Sequence, residues 1–255
     1  VKKEDQIIAI LPLGAHEYHG PHLSPTTDAV IAGAFAEHLA SLFPTAPKRL
    51  TPLEVESVGY SIEHKGRPFT KTLEYSQAID RWISIGADCY KKGIKKILVL
   101  NAHGGNSPLM NIVITELRCR FKMLAVATSW GRFGLPEGLI TPENKQLDIH
   151  AGFIETSLML YLAPEKVEME KAQNFSNWQK NYKKNSNISG LMGHFLSAGK
   201  WRISIDWGPQ EMHLPRIKRQ EKRYSIMQLK VLAALLRICS LLILTNSPRK
   251  PLFQS

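Results

Sequence analysis

A chain of 255 residues, 44% of them hydrophobic, is long enough to bury one large core, and a charged fraction of 22% excludes a mainly disordered polymer. The formal net charge is +11, with the excess gathered at Lys180–Lys184 and Arg216–Arg223. Nucleic acid or an anionic membrane would use such runs. However, Tyr182 is the one aromatic within them, and neither zinc-knuckle spacing nor a helix-turn-helix pattern accompanies them. They read as a solvated face or tail, and nucleic-acid binding is not expected.

Val1–Gln6 is polar and lacks a signal-peptide pattern, and the missing initiator Met suggests a numbering that begins inside a longer product. Ile7–Leu13 is a short apolar run ending at Gly14, which predicts a buried parallel strand. Gly14–Pro25 predicts a loop. Asp28–Phe43 carries apolar residues at helical spacing, with Thr26, Thr27 or Asp28 available as a cap. Thr51–Tyr60 predicts a second extended segment, and Ser76–Lys92 a helix closed by Gly93. Ile97–Leu100 predicts a buried strand, Ser107–Phe121 a helix, Met123–Ser129 a strand and Ile154–Leu162 a helix. Ala172–Asn187 is polar, with several Asn and Lys residues, and predicts an excursion or a flexible loop. Leu229–Leu244 is apolar but falls short of the roughly 20 residues of a membrane span, and predicts a packing helix. Strands alternating with helices predict a parallel sheet covered on both faces, with ligands beyond the carboxyl ends of its strands. Cys89, Cys119 and Cys239 form no disulfide framework or CxxC motif, which suits a reducing, cytoplasmic setting.

Three clusters carry chemistry. In GAHEYHGPH (residues 14–22), Glu17 and His19 stand two apart, so on extended backbone they face the same side. Asp28 follows past a Pro/Gly turn, where its carboxylate can return to the same point. NAHGGN (residues 101–106) places His103 just after a buried strand, beside glycines that permit close backbone approach. DIHAGFIETS (residues 148–157) adds His150 and Glu155. Singly these have ordinary roles: a helix cap, a lysine partner, a tight turn or a phosphate loop. Together, nitrogen and oxygen donors without thiolates suit zinc, manganese or a similar divalent ion. The lysine-serine ending of a phosphate-binding GxxxxGK[ST] loop is missing from NAHGGN.

Residues from Ile7 to about Val167 resemble the creatininase family. LPLGAHEYHGPHL (11–23) with TTD (26–28), NAHGGN (101–106) and HAGFIETS (150–157) carry the resemblance in order and spacing. It implies an α/β fold, a three-layer α/β/α domain with a central, mainly parallel sheet. It also implies two divalent ions, zinc or manganese, with Glu17 and His19 on separate ions, Asp28 bridging, and His103 on the Glu17-bound ion. His150 corresponds to the family's proposed proton donor. Creatinine amidohydrolase has a carboxylate two residues after the His103 equivalent. This chain has Gly105 there, so Glu155 is expected as the remaining ligand and creatinine is not assumed as the substrate. The family also contains formamide-cleaving deformylases and a peptidase of peptide-cofactor maturation.

The expected activity is hydrolysis of a non-peptide C–N bond in a small cyclic amide or formamide. A metal-bridging hydroxide would attack, and Glu155 would bind metal or orient the nucleophile. Backbone N–H groups near Gly104–Gly105 could assist the oxyanion. The competing expectation is a catalytically degenerate member acting as a binding protein. His16, His22 and His64 have structural roles at least as readily as chemical ones, and Tyr18 and Trp207 could wall the pocket. The resemblance implies homo-oligomers, often hexamers. One domain is expected over 1–255, with a divergent basic segment from about 215 to 255. Pocket loops are expected at Glu63–Thr72, Gly131–Lys145 and Ile188–Trp207.

Overall fold

A computed structural model describes residues 7–43, 49–133, 135 and 140–173 of the chain. The expectations placed on Ala172–Asn187 beyond residue 173, on Ile188–Trp207, on the two basic runs, on Cys239 and on Leu229–Leu244 lie outside these residues.

Among the described residues, four strands form one parallel sheet in the order β2-β1-β3-β4: β1 (Ile7–Leu13), β2 (Arg49–Pro52), β3 (Lys96–Asn101) and β4 (Leu124–Ser129). The register pairs Ile8 with Leu50, Leu11 with Val99 and Leu98 with Val126. Side chains alternate across each strand, so the sheet divides two cores. Ile8, Ile10, Leu98 and Leu100 face α1 (Thr27–Ser41) and α5 (Phe153–Leu162). Ala9, Leu11, Leu13, Ile97 and Val99 face α2 (Tyr75–Lys91) and α3 (Ser107–Phe121). Because both faces are covered, β1 and β3 read as continuous apolar runs. The result is the three-layer α/β/α arrangement expected from the sequence.

The second extended segment differs from expectation. Its regular ladder is Arg49–Pro52, and from Leu53 the chain touches β1 through single hydrogen bonds, Leu53 N to Ile10 O at 2.8 Å and Glu56 N to Pro12 O at 3.0 Å. Pro52 and Pro12 have no N–H to donate, which interrupts the ladder there. A short helix, α4 (Pro142–Leu147), overlaps the end of the Gly131–Lys145 segment expected to be a pocket loop; Thr141 caps it by accepting from Asn144 N at 3.3 Å. Thr26 occupies the cap position of α1 without a side-chain bond to the helix; its hydroxyl pairs with Ser24. Among the described residues, no helix is long and apolar enough to cross a membrane.

Strand order reverses between β1 and β3. α1 leads from β1 to β2 on one face, while α2 and α3 serve β3 and β4 on the other. Loops leaving the carboxyl ends of β1 and β3 therefore diverge and leave a crevice. Glu17 and His19 follow β1, and His103 follows β3, so all three stand at that crevice.

Candidate metal centre

Glu17, His19, Asp28, His64, His103 and His150 are buried together beyond the strand ends. Glu17 Oε1 lies 3.2 Å from His103 Nδ1, 3.5 Å from His150 Nδ1, 3.7 Å from His64 Nε2 and 4.0 Å from His19 Nε2. Asp28, in the first turn of α1, divides its carboxylate: Oδ1 is 3.3 Å from His19 Nε2 and Oδ2 is 3.1 Å from His103 Nδ1. Glu155, in the first turn of α5, places Oε2 3.9 Å from His19 Nε2. The rings of His19 and His64 each approach that of His150 to 4.4 Å between centroids.

The orientation of three imidazoles is set by backbone carbonyls, which can only accept. His19 Nδ1 is 3.0 Å from the carbonyl of Glu17, His103 Nε2 is 3.0 Å from that of Tyr60, and His150 Nε2 is 2.8 Å from that of Tyr18. Each of these nitrogens therefore carries hydrogen, and the other nitrogen of each ring is turned toward carboxylate oxygen. Backbone carbonyls behind ligating histidines fix ring orientation in metal sites in this way. Glu17 Oε2 and Asp28 Oδ2 are buried and accept no hydrogen bond. Unsatisfied carboxylate oxygens buried among imidazoles suit a divalent cation, and the donor set of nitrogen and oxygen fits one. Among the described residues, three groups converge closely enough to hold an ion: Glu17 with His19 and His150, Glu17 with Glu63 and His103, and His19 with Asp28 and Glu155.

The two asparagines of NAHGGN build the frame. Asn101 Oδ1 accepts from His103 N at 3.1 Å, and Asn101 Nδ2 donates to His103 O at 2.6 Å. Asn106, fully buried, donates to Gly14 O at 2.9 Å and accepts from Tyr60 N at 2.9 Å. It thus ties together the loops after β1, β2 and β3. A Cβ on Gly59 would meet Asn106 Oδ1 at 2.5 Å and Gly14 O at 2.6 Å, so only glycine allows this approach.

Asp148 positions the third cluster. Its Oδ2 accepts from Ile154 N at 3.0 Å, capping α5 from outside the helix. Ala151 adopts a left-handed conformation (φ 49°), and its N–H donates to Glu155 Oε2 at 2.5 Å. A cavity of about 190 Å³ adjoins Glu155, lined in part by Trp130, Leu135, Lys145, Asp148 and Ile154.

The charges follow from this packing. Burial opposes charge on Glu17, but His103, His150 and His19 hold its carboxyl well below the usual range. Burial likewise opposes charge on His19, yet Asp28, Glu155 and Glu17 push it up to about 10. His103 is raised well above its ordinary value against burial by Glu17 and Asp28. Burial, aided by His19, lowers His150 to about 3 and His22 to about 4. Burial raises Glu155 to about 8, against the pull of His19.

Every residue proposed from sequence for the metal, Glu17, His19, Asp28, His103 and Glu155, lies in this cluster with His150. Glu155 stands on the His19 side. The carboxylate beside Gly105 is Glu63, 3.3 Å from His103 Nε2. His64 joins the cluster through Glu17, and His22 touches Thr156 Oγ1 at 3.0 Å. His16 stands apart: its carbonyl accepts from Lys71 N at 2.8 Å, in the strand-like bridge between those residues. The sequence reading missed the roles of Glu63 and Asp148; each sits within two residues of a candidate histidine, the one signal available.

The family model described as creatininase, creatinine amidohydrolase, matches residues 1–212. A mycofactocin precursor peptide peptidase of Mycolicibacterium smegmatis is 28% identical over 172 residues, covering 63% of this chain and 60% of that protein. The chain thus spans about 60% of the length of such relatives. Creatinine amidohydrolase of Pseudomonas putida is 26% identical over 183 residues, covering 64% of this chain and 67% of its own length. Among solved structures, a manganese creatininase superposes with a TM-score of 0.66 at 20% identity, covering 91% of this chain and 90% of the other.

Proposed function

The chain belongs to the creatininase family, and from that premise we propose that it is a metal-dependent hydrolase cleaving the C–N bond of a small cyclic amide or formamide. The observation that carries this reading is the divided carboxylate of Asp28, one oxygen toward His19 and the other toward His103. That geometry suits one carboxylate serving two divalent cations, zinc or manganese. Glu17 and His103 would hold one ion with Asp28, and His19 and Glu155 the other.

When bound, such ions lower the pKa of water and polarise a scissile carbonyl. The remaining steps belong to the chain. An amide entering through the cavity beside Glu155 would place its carbonyl carbon near the cluster. His150 is neutral at pH 7, with Nε2–H committed to the Tyr18 carbonyl and Nδ1 facing the site. It would relay the proton of the attacking water through Nδ1 to the leaving nitrogen without resting as the imidazolium, which burial disfavours. Glu155 would be held in register by the Ala151 N–H. The buried surroundings keep bulk water from competing.

A second reading, cleavage of a peptide C–N bond, is favoured by the 28% identity to a mycofactocin precursor peptide peptidase. A panel of cyclic amides, formamides and short peptides, assayed with zinc- or manganese-loaded protein, tests both. Turnover of one class that is lost in Asp28→Ala, checked for folding, supports the hydrolase. An Asp28→Ala protein working at the wild-type rate would remove it.

A further inference from the structure

The turn that follows β2 closes over the outer edge of His103. Tyr60 O, Ser61 Oγ and Glu63 Oε1 stand 3.0, 3.2 and 3.3 Å from His103 Nε2, the ring nitrogen other than the one beside Glu17 and Asp28. The same turn, Ile62–His64, sends His64 to Glu17. Gly105 leaves the room for this. A Cβ at position 105 would meet Tyr60 O at 2.4 Å, His103 Nε2 at 2.5 Å and Glu63 Oε1 at 2.6 Å. Contacts that close do not occur, so a side chain at 105 and the observed Tyr60–Glu63 turn exclude each other.

We propose that Glu63 is the positioning carboxylate of His103, delivered from the turn after β2 into space that only a glycine at 105 leaves open. This rests on the dinuclear reading above. Glu63 acts through the imidazole rather than on substrate. With the Tyr60 carbonyl it shares the Nε2–H, and its charge makes Nδ1 a stronger donor toward an ion held with Glu17 and Asp28. A carboxylate behind a ligating histidine changes metal affinity by about 10–100-fold. Tyr60 O alone fixes the tautomer, whereas Glu63 adds charge, so a neutral isostere separates the two contributions.

The test is zinc titration of the metal-stripped full chain against a competing chelator, in wild type, Glu63→Gln and Glu63→Asp. Each is checked for unchanged metal-free melting, and the His103 Nε2–H resonance is followed by NMR. Wild type should bind two ions. Glu63→Gln should weaken one of them about 10–100-fold, leave the other unchanged and move the Nε2–H signal upfield. Glu63→Asp should recover part of both effects. A role in packing alone would survive the Gln substitution. Glu63→Gln with both wild-type affinities overturns this inference alone. A wild-type chain that takes up no zinc overturns the dinuclear reading and this inference with it.

Discussion

Glu17 Oε1 and His103 Nδ1 stand 3.2 Å apart while the Tyr60 carbonyl engages the other nitrogen of the same ring. An imidazole lone pair facing a carboxylate is repulsive unless something positive lies between them. In the metal-free chain that is a proton, which an ion bound there would displace.

Metal uptake is therefore expected to release protons. At pH 7 the metal-free chain holds His19, at about 10, His103, raised well above its ordinary value, and Glu155, at about 8, in protonated form. Ligands bind deprotonated, so loading both ions should free about three protons, with affinity rising from about pH 6 to pH 9. Calorimetry in buffers of different ionisation enthalpy measures the count; a release near zero and a flat pH profile would contradict it.

His150→Gln separates proton transfer from ligation. If His150 carries the proton, kcat should fall by about 10²–10⁴-fold with both ions retained. Loss of an ion in this variant would instead make Nδ1, 3.5 Å from Glu17, a ligand.

Acid should loosen the metal-free fold partly through His22. The unfolded chain protonates this residue near 6.5, but burial, aided by His19, delays protonation in the fold to about 4. Between those values the unfolded state binds more protons, so stability present above 6.5 is lost as pH falls toward 4. His22→Gln should flatten the fall of Tm across that window by roughly 5 °C. Thermal melts of both proteins from neutral pH downward measure it; parallel curves would contradict the assignment.

Asp148 caps α5 at a cost that grows with pH. Burial raises its carboxyl from 3.8 to about 7, against the Ile154 and Phe153 N–H groups. The protonated form is thus the one the fold prefers, and stability present below 3.8 is lost as pH rises through about 7. Asp148→Ala should destabilise by about 1–2 kcal/mol through the lost cap. Asp148→Asn, which keeps an acceptor without charge, should gain on wild type as pH rises from about 4 to about 7 and hold that gain above. Denaturant melts at two pH values check both signs.

The strands of the central sheet were legible because burial on both faces leaves apolar runs, as at Ile7–Leu13 and in β3. The regular ladder is shorter than the extended pattern of Thr51–Tyr60, because hydropathy does not reveal where Pro52 and Pro12 interrupt hydrogen bonding. The site's donors were legible because they cluster in three short motifs beside glycines. Glu63 was not, since its meaning depends on His103, forty residues away, and on the space at Gly105. Asp148 opens the third motif, and nothing in the sequence says that its carboxylate accepts from the N–H groups of α5.

The central claim is that Asp28 joins two ions. Inductively coupled plasma mass spectrometry of the purified protein, wild type beside Asp28→Ala after equal exposure to zinc and manganese, tests it most directly. About two divalent ions per wild-type chain are expected, with both lost in the variant. A wild-type chain that binds none, or an Asp28→Ala chain that keeps two, would contradict it.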